Sequence, residues 1–190
     1  MSQDQPSDAE LIEAHRHGSA TALMQLWLRY DSLVYGIAHS LVRQREAAED
    51  IRQEVFLKMY QGLARLQDAT KFSNWLHTIT HNTGKSWLRR QRTTVPVDSL
   101  AADEHPTASF AADLEQREQR TALRRMIDQL PVEYRTVVEL HYFEGQRIMH
   151  IAAFLGLSEA TVKWRLYRAR DILQRAAKLA GYEVPEQPER

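Results

Sequence analysis

The sequence predicts an all-α protein, built from two small helical domains that a flexible acidic linker joins. Three observations support this fold class. Apolar residues recur at the 3.6-residue spacing of amphipathic helices along both halves of the 190-residue chain. The period-two alternation typical of half-buried strands is weak throughout. Residues 93–113 combine two prolines with several acids and hydroxyl side chains, which is a composition typical of linkers.

Eight helices follow from the periodicity, four before the linker and four after it. Pro131 marks the start of the sixth helix, because a proline in the first turn loses no hydrogen bond. We expect a first domain at residues 1–92, the linker at 93–113, a second domain at 114–180 and a frayed tail at 181–190. The predicted helices run at about 8–16, 20–42, 45–64, 72–92, 114–129, 132–143, 148–155 and 159–179.

Composition excludes some kinds of site without indicating a function. The chain has no cysteine, which excludes disulfides and thiolate metal sites and suits a cytoplasmic protein. The N-terminal residues lack the apolar core of a signal peptide, and no apolar run reaches the length of a membrane span. We therefore expect a cytoplasmic location without stable membrane insertion.

The charges are informative through their distribution, because 25 basic and 25 acidic residues cancel in total. Basic side chains cluster at 85–92 and at 163–175, whereas acids dominate the segment at 98–118 between them. Two basic helices separated by an acidic connector indicate two nucleic-acid contacts on one chain. The alternative is a pair of ordinary solvated helix faces.

The second half contains the pattern of a helix-turn-helix. Ala152, Gly156 and Val162 stand where that motif needs a small residue, a turn and a core anchor. Ser158 is placed to cap the second helix, whose apolar stripe begins at Val162. The rest of this helix suits a major groove better than the alternative, an amphipathic surface helix. The candidates for this contact are Ser158, Ala160, Thr161, Lys163, Trp164, Arg165, Tyr167 and Arg168.

The helix predicted at 45–64 has two dissimilar faces. One face is an apolar stripe, and the other combines acids and an amide with one apolar side chain. The second face suits docking to a basic protein partner, although a solvated acidic face is an equally good interpretation of the pattern. The docking candidates are Asp50, Gln53, Glu54 and Leu57.

The helix predicted at 72–92 carries amide, hydroxyl and cationic side chains along one path. Such a path can hold phosphates and read base edges. The loop at 67–71 before it is small and polar enough to receive an unstacked base. The side chains along the path are Asn82, Lys85, Ser86, Arg89 and Arg90.

Catalytic and metal-binding patterns are weak in this chain. His77 and His81 have the i, i+4 spacing that can bind zinc, but no third ligand is evident. No glycine-rich phosphate loop, catalytic triad or carboxylate pair stands out. We therefore expect no metal, no other cofactor and no enzymatic activity.

Taken together, these segments resemble an extracytoplasmic-function (ECF, group IV) sigma factor of bacterial RNA polymerase. The resemblance covers most of the chain, and its segments occur in the family's domain order. It implies promoter-specific transcription initiation, in a stress or envelope response, and an anti-sigma factor as inhibitory partner. The matching segments lie at 48–56, 72–82, 88–92, 130–140 and 156–170.

The resemblance also implies a role for each surface. The acidic face at 50–57 would dock on the largest subunit of core RNA polymerase. The helix-turn-helix would enter the major groove of promoter DNA at the minus-thirty-five element. Capture and melting of the minus-ten element would fall to Lys71, Trp75, Asn82, Lys85, Ser86, Arg89 and Arg90.

This chain departs from the family's pattern at several positions. Ser86 stands where an aspartate is usual, His150 where a glutamate is usual, and Trp164 where a small residue is common. Residues 146–149 lack the usual small hydroxyl residue at a helix start. Two other functions stay open from the residues alone. A stand-alone regulator needs only the helix-turn-helix, and a sigma-like adaptor needs only the acidic face.

Overall fold

The computed structural model describes the backbone at residues 5–94 and 112–182 and the side chains at 5–91 and 118–182. All regular secondary structure in these ranges is helical, which confirms the predicted fold class. A 3₁₀ turn, Ala69–Lys71, precedes α4, and a π-helical segment, Glu139–Phe143, continues α6. The α-helices are α1 (Asp8–Arg16), α2 (Ala20–Val42), α3 (Arg45–Leu63), α4 (Phe72–Thr94), α5 (Ala112–Asp128), α6 (Val132–Val138), α7 (Ile148–Leu155) and α8 (Glu159–Leu179).

The helix bounds differ from the prediction chiefly at the linker. Because α4 continues to Thr94 and α5 begins at Ala112, both ends of the segment predicted as linker are helical. Residues 95–111 and the predicted tail from residue 183 onward lie outside the described residues. Among the described residues, no helix is long and apolar enough to cross a membrane.

Side-chain caps explain where several helices begin. At α1, Ser7 and Glu10 form a capping box, in which each side chain accepts a hydrogen bond from the other residue's backbone N–H. At α8, the Ser158 hydroxyl accepts from the N–H of Thr161, as the sequence predicts. α7 starts after Arg147 without any side-chain cap, which agrees with the missing hydroxyl residue at 146–149.

The first domain packs α1, α3 and α4 around α2. Buried aliphatic side chains from α2 and α3, such as Leu26 and Ile51, meet Phe72 and Leu76 of α4. Trp27 and Phe56 pack edge to face, with ring centroids 5.0 Å apart, at the junction of α2 and α3. This packing fixes which sides of α3 and α4 face outward.

The second domain shares a core with the first, whereas the sequence suggested two separate modest cores. α2 packs against α6 and the π-helical segment, and α4 packs against α7. Leu140 is fully buried beside Gly36, where a Cβ atom would lie only 2.7 Å from Leu140 Cδ2. Phe154 is also buried and packs on the rings of Tyr30 and His77. Periodicity identified these apolar faces but not the faces that they meet.

Polar contacts close the same interface. The nearly buried Arg135 donates from Nε to the carbonyl oxygen of Ser40 at 2.6 Å and from Nη1 to that of Asp128 at 2.6 Å. The buried carboxylate of Glu139 lies 3.1 Å from Nη1 of Arg124 and 3.5 Å from Nδ1 of His39. Buried polar groups are costly unless they are paired, so separating the domains exposes these groups to water and loses their mutual contacts.

Candidate nucleic-acid and protein interfaces

The predicted docking face lies on the outer side of α3. The inner side is fully buried at Ile51, Val55 and Met59, so the helix cannot rotate. Asp50 and Gln53 are consequently exposed, and 56% of the Leu57 surface is accessible. An exposed leucine bordered by an acid and an amide is a surface that a protein partner with basic and apolar side chains can cover.

Glu54 connects the docking face to the basic helix α4. Its carboxylate lies 2.7 Å from Nζ of Lys58 and 3.5 Å from Nη2 of Arg90. The hydrogen bond from Lys58 is the main reason that the pKa of Glu54 lies below its usual value. Lys58 also donates to the hydroxyl of Thr83 at 2.9 Å. The predicted sets on α3 and α4 therefore meet at Glu54, and Lys58, which sequence reasoning missed, holds them together.

The polar path on α4 is continuous and faces outward. Asn82, Lys85, Arg89 and Arg90 are exposed, and the half-buried hydroxyl of Ser86 accepts from Nη2 of Arg89 at 3.0 Å. The opposite side of α4 approaches α2 closely at Gly84, where a Cβ atom would lie 2.6 Å from Leu41 Cδ1. Because glycine permits this contact, the packed side of α4 is fixed and the five polar side chains project along the other side.

A 3₁₀ turn takes the place of the loop predicted at 67–71. The Asp68 carboxylate caps it by accepting from the N–H of Thr70 at 3.0 Å and from its hydroxyl at 2.6 Å. These bonds hold the pKa of Asp68 below its usual value. Lys71 is exposed and lies 3.3 Å from the same carboxylate. Trp75, which the resemblance assigns to the minus-ten contact, is in contrast half-buried against Gly62 at the edge of the core.

An open groove of 440 Å³ lies beside this turn. Tyr30 forms part of its wall and donates its hydroxyl to the Asp8 carboxylate, which also pairs with Arg29. Burial, followed by the bond to Asp8, raises the pKa of Tyr30, so the phenol keeps its proton. Because Tyr30 is itself buried, the groove offers mainly small and polar groups beside the turn. Its lining residues are Ser7, Asp8, Ala9, Arg29, Tyr30, Ala69 and Thr70.

His77 and His81, the pair with a spacing that can bind zinc, stack on each other, and His77 lies at the domain interface. The rings of His77 and His81 stack with centroids 6.1 Å apart, and His77 also meets the edge of Phe154. Burial is the largest cause of the lowered pKa of each imidazole. The lowered pKa favours the neutral imidazole, and His77 in this form contributes to the apolar contact between α4 and α7.

The helix-turn-helix consists of α7 and α8. Gly156 closes the turn with φ of 66°, a conformation that glycine adopts without strain, and Leu157 donates its N–H to the carbonyl oxygen of Ala152. Val162, Leu166 and Ala169 are buried, which confirms the predicted apolar stripe. The stripe directs the other side of α8 to the exterior.

Two kinds of side chain occupy the outward side of α8. Trp164 and Tyr167 are 55% and 67% exposed, and Ala160 and Lys163 are exposed beside them. Thr161, Arg165 and Arg168 are partly buried, and Arg168 donates from Nη1 to Oδ2 of Asp171 at 2.6 Å. Tyr134 of α6 meets Trp164 edge to face, with centroids 6.0 Å apart, and nothing in the sequence pattern indicates this contact.

Known proteins resemble the chain in both halves. Models for Sigma-70 region 2 and Sigma-70 region 4 match residues 26–94 and 120–173. The ECF RNA polymerase sigma factor SigM of Mycobacterium tuberculosis strain H37Rv is 35% identical over 178 residues, which are 93% of this chain and 86% of that protein. The probable RNA polymerase sigma factor RfaY of Xanthomonas campestris is 38% identical over 80% of this chain, and the match spans 40% of its own length.

Solved structures share the fold. The sigma factor RpoE of Bartonella quintana, in complex with the anti-sigma factor NepR, has a TM-score of 0.54 at 25% identity. That match covers 82% of this chain and 96% of the other. CnrH in complex with the cytosolic domain of CnrY has a TM-score of 0.58 at 22% identity, over 90% of this chain and 97% of the other.

Proposed function

This chain belongs to the ECF sigma factors of the sigma-70 family, which are transcription initiation factors and not enzymes, and we propose that it binds core RNA polymerase and directs initiation at specific promoters. The observation that carries the proposal is the coexistence of three outward surfaces on one chain. These are the acidic face of α3, the polar path of α4 and the groove-facing side of α8. A stand-alone regulator leaves the first two without a role, and an adaptor leaves the last two without one.

Docking on polymerase falls to the α3 face. Asp50→Arg should lower the affinity for core polymerase at least tenfold, because it places a positive charge against the basic surface that this acidic face complements. Leu57→Ala should lower affinity by removing the exposed apolar anchor. Affinity is measured by fluorescence anisotropy of the labelled chain. Glu118→Arg, the same charge change at another exposed position, is the matched control. Equal affinities for Asp50→Arg and this control would contradict the assignment.

Capture of the minus-ten element falls to the α4 path and the turn before it. Amide, hydroxyl and guanidinium groups along one exposed side can hold phosphates and base edges of a melted strand. The groove beside Ala69 and Thr70 is large enough for one unstacked base. Asn82→Ala and Lys85→Ala should reduce promoter melting, measured as permanganate reactivity of thymines, while Lys178→Ala at the end of α8 should not.

Contact with both promoter elements requires the domains to separate. The minus-ten and minus-thirty-five elements are about 25 base pairs apart, or roughly 85 Å at about 3.4 Å per base pair. A compact chain of this length has a radius of gyration of roughly 16 Å, which gives a body roughly 40 Å across. The closed arrangement, in which the two domains share one core, is therefore the unbound or inhibited state, and simultaneous contact with both promoter elements separates the domains. We assign the same arrangement to a complex with an anti-sigma factor, a partner that the RpoE–NepR complex illustrates.

The decisive test is reconstitution. Purified chain and core polymerase should initiate transcription at promoters selected from a randomised library, and the chain alone should bind the same duplexes weakly. Tight sequence-specific duplex binding without polymerase would favour a stand-alone regulator instead. Location in the cytoplasm and a role in a stress or envelope response belong to the same proposal. Fractionation of the producing cells and expression profiling after envelope damage test these two points.

A further inference from the structure

Several polar groups on the groove-facing side of α8 are already engaged within the protein. The Ser158 and Thr161 hydroxyls are 2.8 Å apart, and the Ser158 oxygen also accepts the capping bond from the Thr161 N–H. The Arg168 guanidinium donates to Asp171, and the same carboxylate accepts two bonds from Arg175. The bond to Asp171 takes one of the five N–H donors of Arg168 and favours one orientation of the guanidinium, which limits how it can aim two coplanar donors at a guanine.

The groups that remain most exposed on this side are largely apolar. Ala160, Trp164 and Tyr167 follow one another at i, i+4 and i+7, which places them along one side of the helix. More than half of the surface of Trp164 and of Tyr167 is accessible. Lys163 is exposed beside this ridge, and a lysine there suits the phosphate backbone at the edge of a groove.

Tyr134 restrains the indole of Trp164. Its own backbone N–H donates to the carbonyl oxygen of Pro131 at 3.0 Å, so the phenol is carried by the first turn of α6. The half-buried Tyr134 ring meets the indole at an interplanar angle of 66°. Aromatic rings prefer this edge-to-face geometry, so the contact favours the indole orientation that the structure shows.

We propose that Trp164, positioned by Tyr134, reads the C5-methyl groups of thymines in the major groove of the minus-thirty-five element. The methyl group distinguishes thymine from every other base in that groove, and apolar side chains recognise it by contact. Ala160 and Tyr167 extend the apolar surface on either side of the indole, and Lys163 and Arg165 bind phosphates. This inference rests on the proposed function and names the chemical group that α8 selects.

Deoxyuridine tests the contact, because it lacks only the methyl group and pairs as thymine does. Promoters are first selected with the wild-type holoenzyme from a library randomised at the minus-thirty-five element. Each thymine is then replaced by deoxyuridine, and the initiation rate is measured at limiting promoter occupancy. At one or two positions the rate should fall about fourfold, the factor expected for losing the burial of one methyl-sized group. Trp164→Ala should remove this difference between thymine and deoxyuridine.

Matched variants separate the role of each side chain. Tyr134→Phe keeps the ring and should keep the discrimination, whereas Tyr134→Ala frees the indole and should reduce it. Lys163→Ala should lower initiation equally on both promoters, because a phosphate contact does not sense the methyl group. Trp164→Leu replaces the indole by an apolar side chain of different shape. If Trp164→Ala loses helicity or thermal stability, the ratio of initiation rates on thymine and deoxyuridine promoters is measured with Trp164→Leu instead and compared with wild type.

The outcomes distinguish this inference from the proposed function. No initiation by the wild-type chain with core polymerase would overturn the proposed function. Normal initiation with equal rates on thymine and deoxyuridine promoters would overturn the methyl contact alone. The same discrimination by wild type and Trp164→Ala would show that another side chain reads the methyl group, and it would also overturn the proposal.

Discussion

Gly36→Ala should open the interface between the two domains. A Cβ atom at this position of α2 would lie 2.7 Å from Leu140 Cδ2 and 3.0 Å from Glu144 Cγ, both in the second domain. Favourable carbon contacts occur at about 3.5–4.0 Å, so the added methyl group overlaps its neighbours by roughly 1 Å. Leu140 is fully buried, so its side chain can move only by displacing packed neighbours. The substitution therefore acts against the closed state.

The size of the effect follows from the overlap alone. Overpacking in a tightly filled interface costs about 1–3 kcal/mol. The higher helix propensity of alanine stabilises α2 equally in the closed and open states, because α2 is helical in both, and it therefore cancels from their difference. At about 1.4 kcal/mol per factor of ten, the open population rises roughly fivefold to a hundredfold.

Distance measurement between spin labels detects this shift. The chain has no cysteine, so single cysteines introduced at the exposed Gln25 and Ala153 label one position in each domain. The wild type should give one narrow distance distribution, and Gly36→Ala should add a longer and broader one. Gly84→Ala is the control, because its Cβ would meet Leu41 at 2.6 Å within the first domain. It should lower thermal stability and leave the distance between the domains unchanged.

Two results would refute this reasoning. A broad, long distribution in the wild type would mean that the closed arrangement is not the stable state of the free chain. A narrow distribution in Gly36→Ala that matches the wild type would mean that Leu140 moves aside at little cost.

Three further predictions concern stability. Arg135→Ala should lower the free energy of unfolding by about 3 kcal/mol in urea titration, because three carbonyl oxygens each lose a hydrogen bond, and Arg135→Lys should fall between this variant and wild type. Ser7→Ala should lower the free energy of unfolding by about 1 kcal/mol, because it removes the α1 cap. Ser19→Gly at the cap of α2 should lower it less, since glycine is tolerated at this position, and an equal loss in the two variants would contradict this reasoning. Because the folded pKa of Glu54 is depressed below 4.5, its contribution is present above pH 4.5 and lost as the pH falls further. Glu54→Gln should flatten that part of the melting-temperature profile.

The sequence predicts local structure well in this protein because local structure depends on nearby residues. The Ser158 cap, the Gly156 turn and the buried Val162 each follow from a few neighbouring positions, and each is confirmed. The outward position of Trp164 follows from the same helical geometry. Where helices are well capped and strongly amphipathic, spacing alone identifies which sides are buried and which are exposed.

Contacts between distant segments could not be predicted in the same way. Arg135 resembles any helical arginine in the sequence, yet it is nearly buried and binds the carbonyl oxygen of Ser40, 95 residues away. The Glu54–Arg90 pair joins two surfaces that the pattern assigned to different partners. A periodic pattern reports that a face is apolar or charged, but the partner of that face depends on how the elements pack, which short-range spacing does not encode.

The closed arrangement affects one function of the chain more than the others. Because Asp50, Gln53 and Leu57 on α3 stay exposed, the docking face is accessible without opening. The rings of α8 are equally accessible. Each contact alone is therefore compatible with the closed state, and only simultaneous contact with both promoter elements requires separation. The free energy of opening consequently weakens the binding of the second promoter element and leaves the binding of the first unchanged.

Gly36→Ala tests this coupling in two assays. The variant chain should bind an isolated minus-thirty-five duplex as weakly as wild type, because the α8 surface is the same in both. Its holoenzyme should occupy a complete promoter at lower concentration, because less free energy is required for opening. If both affinities rise together, the closed state also shields α8, and the interface inhibits every DNA contact. If neither changes while the label distances lengthen, polymerase alone supplies the free energy of opening before the promoter is bound.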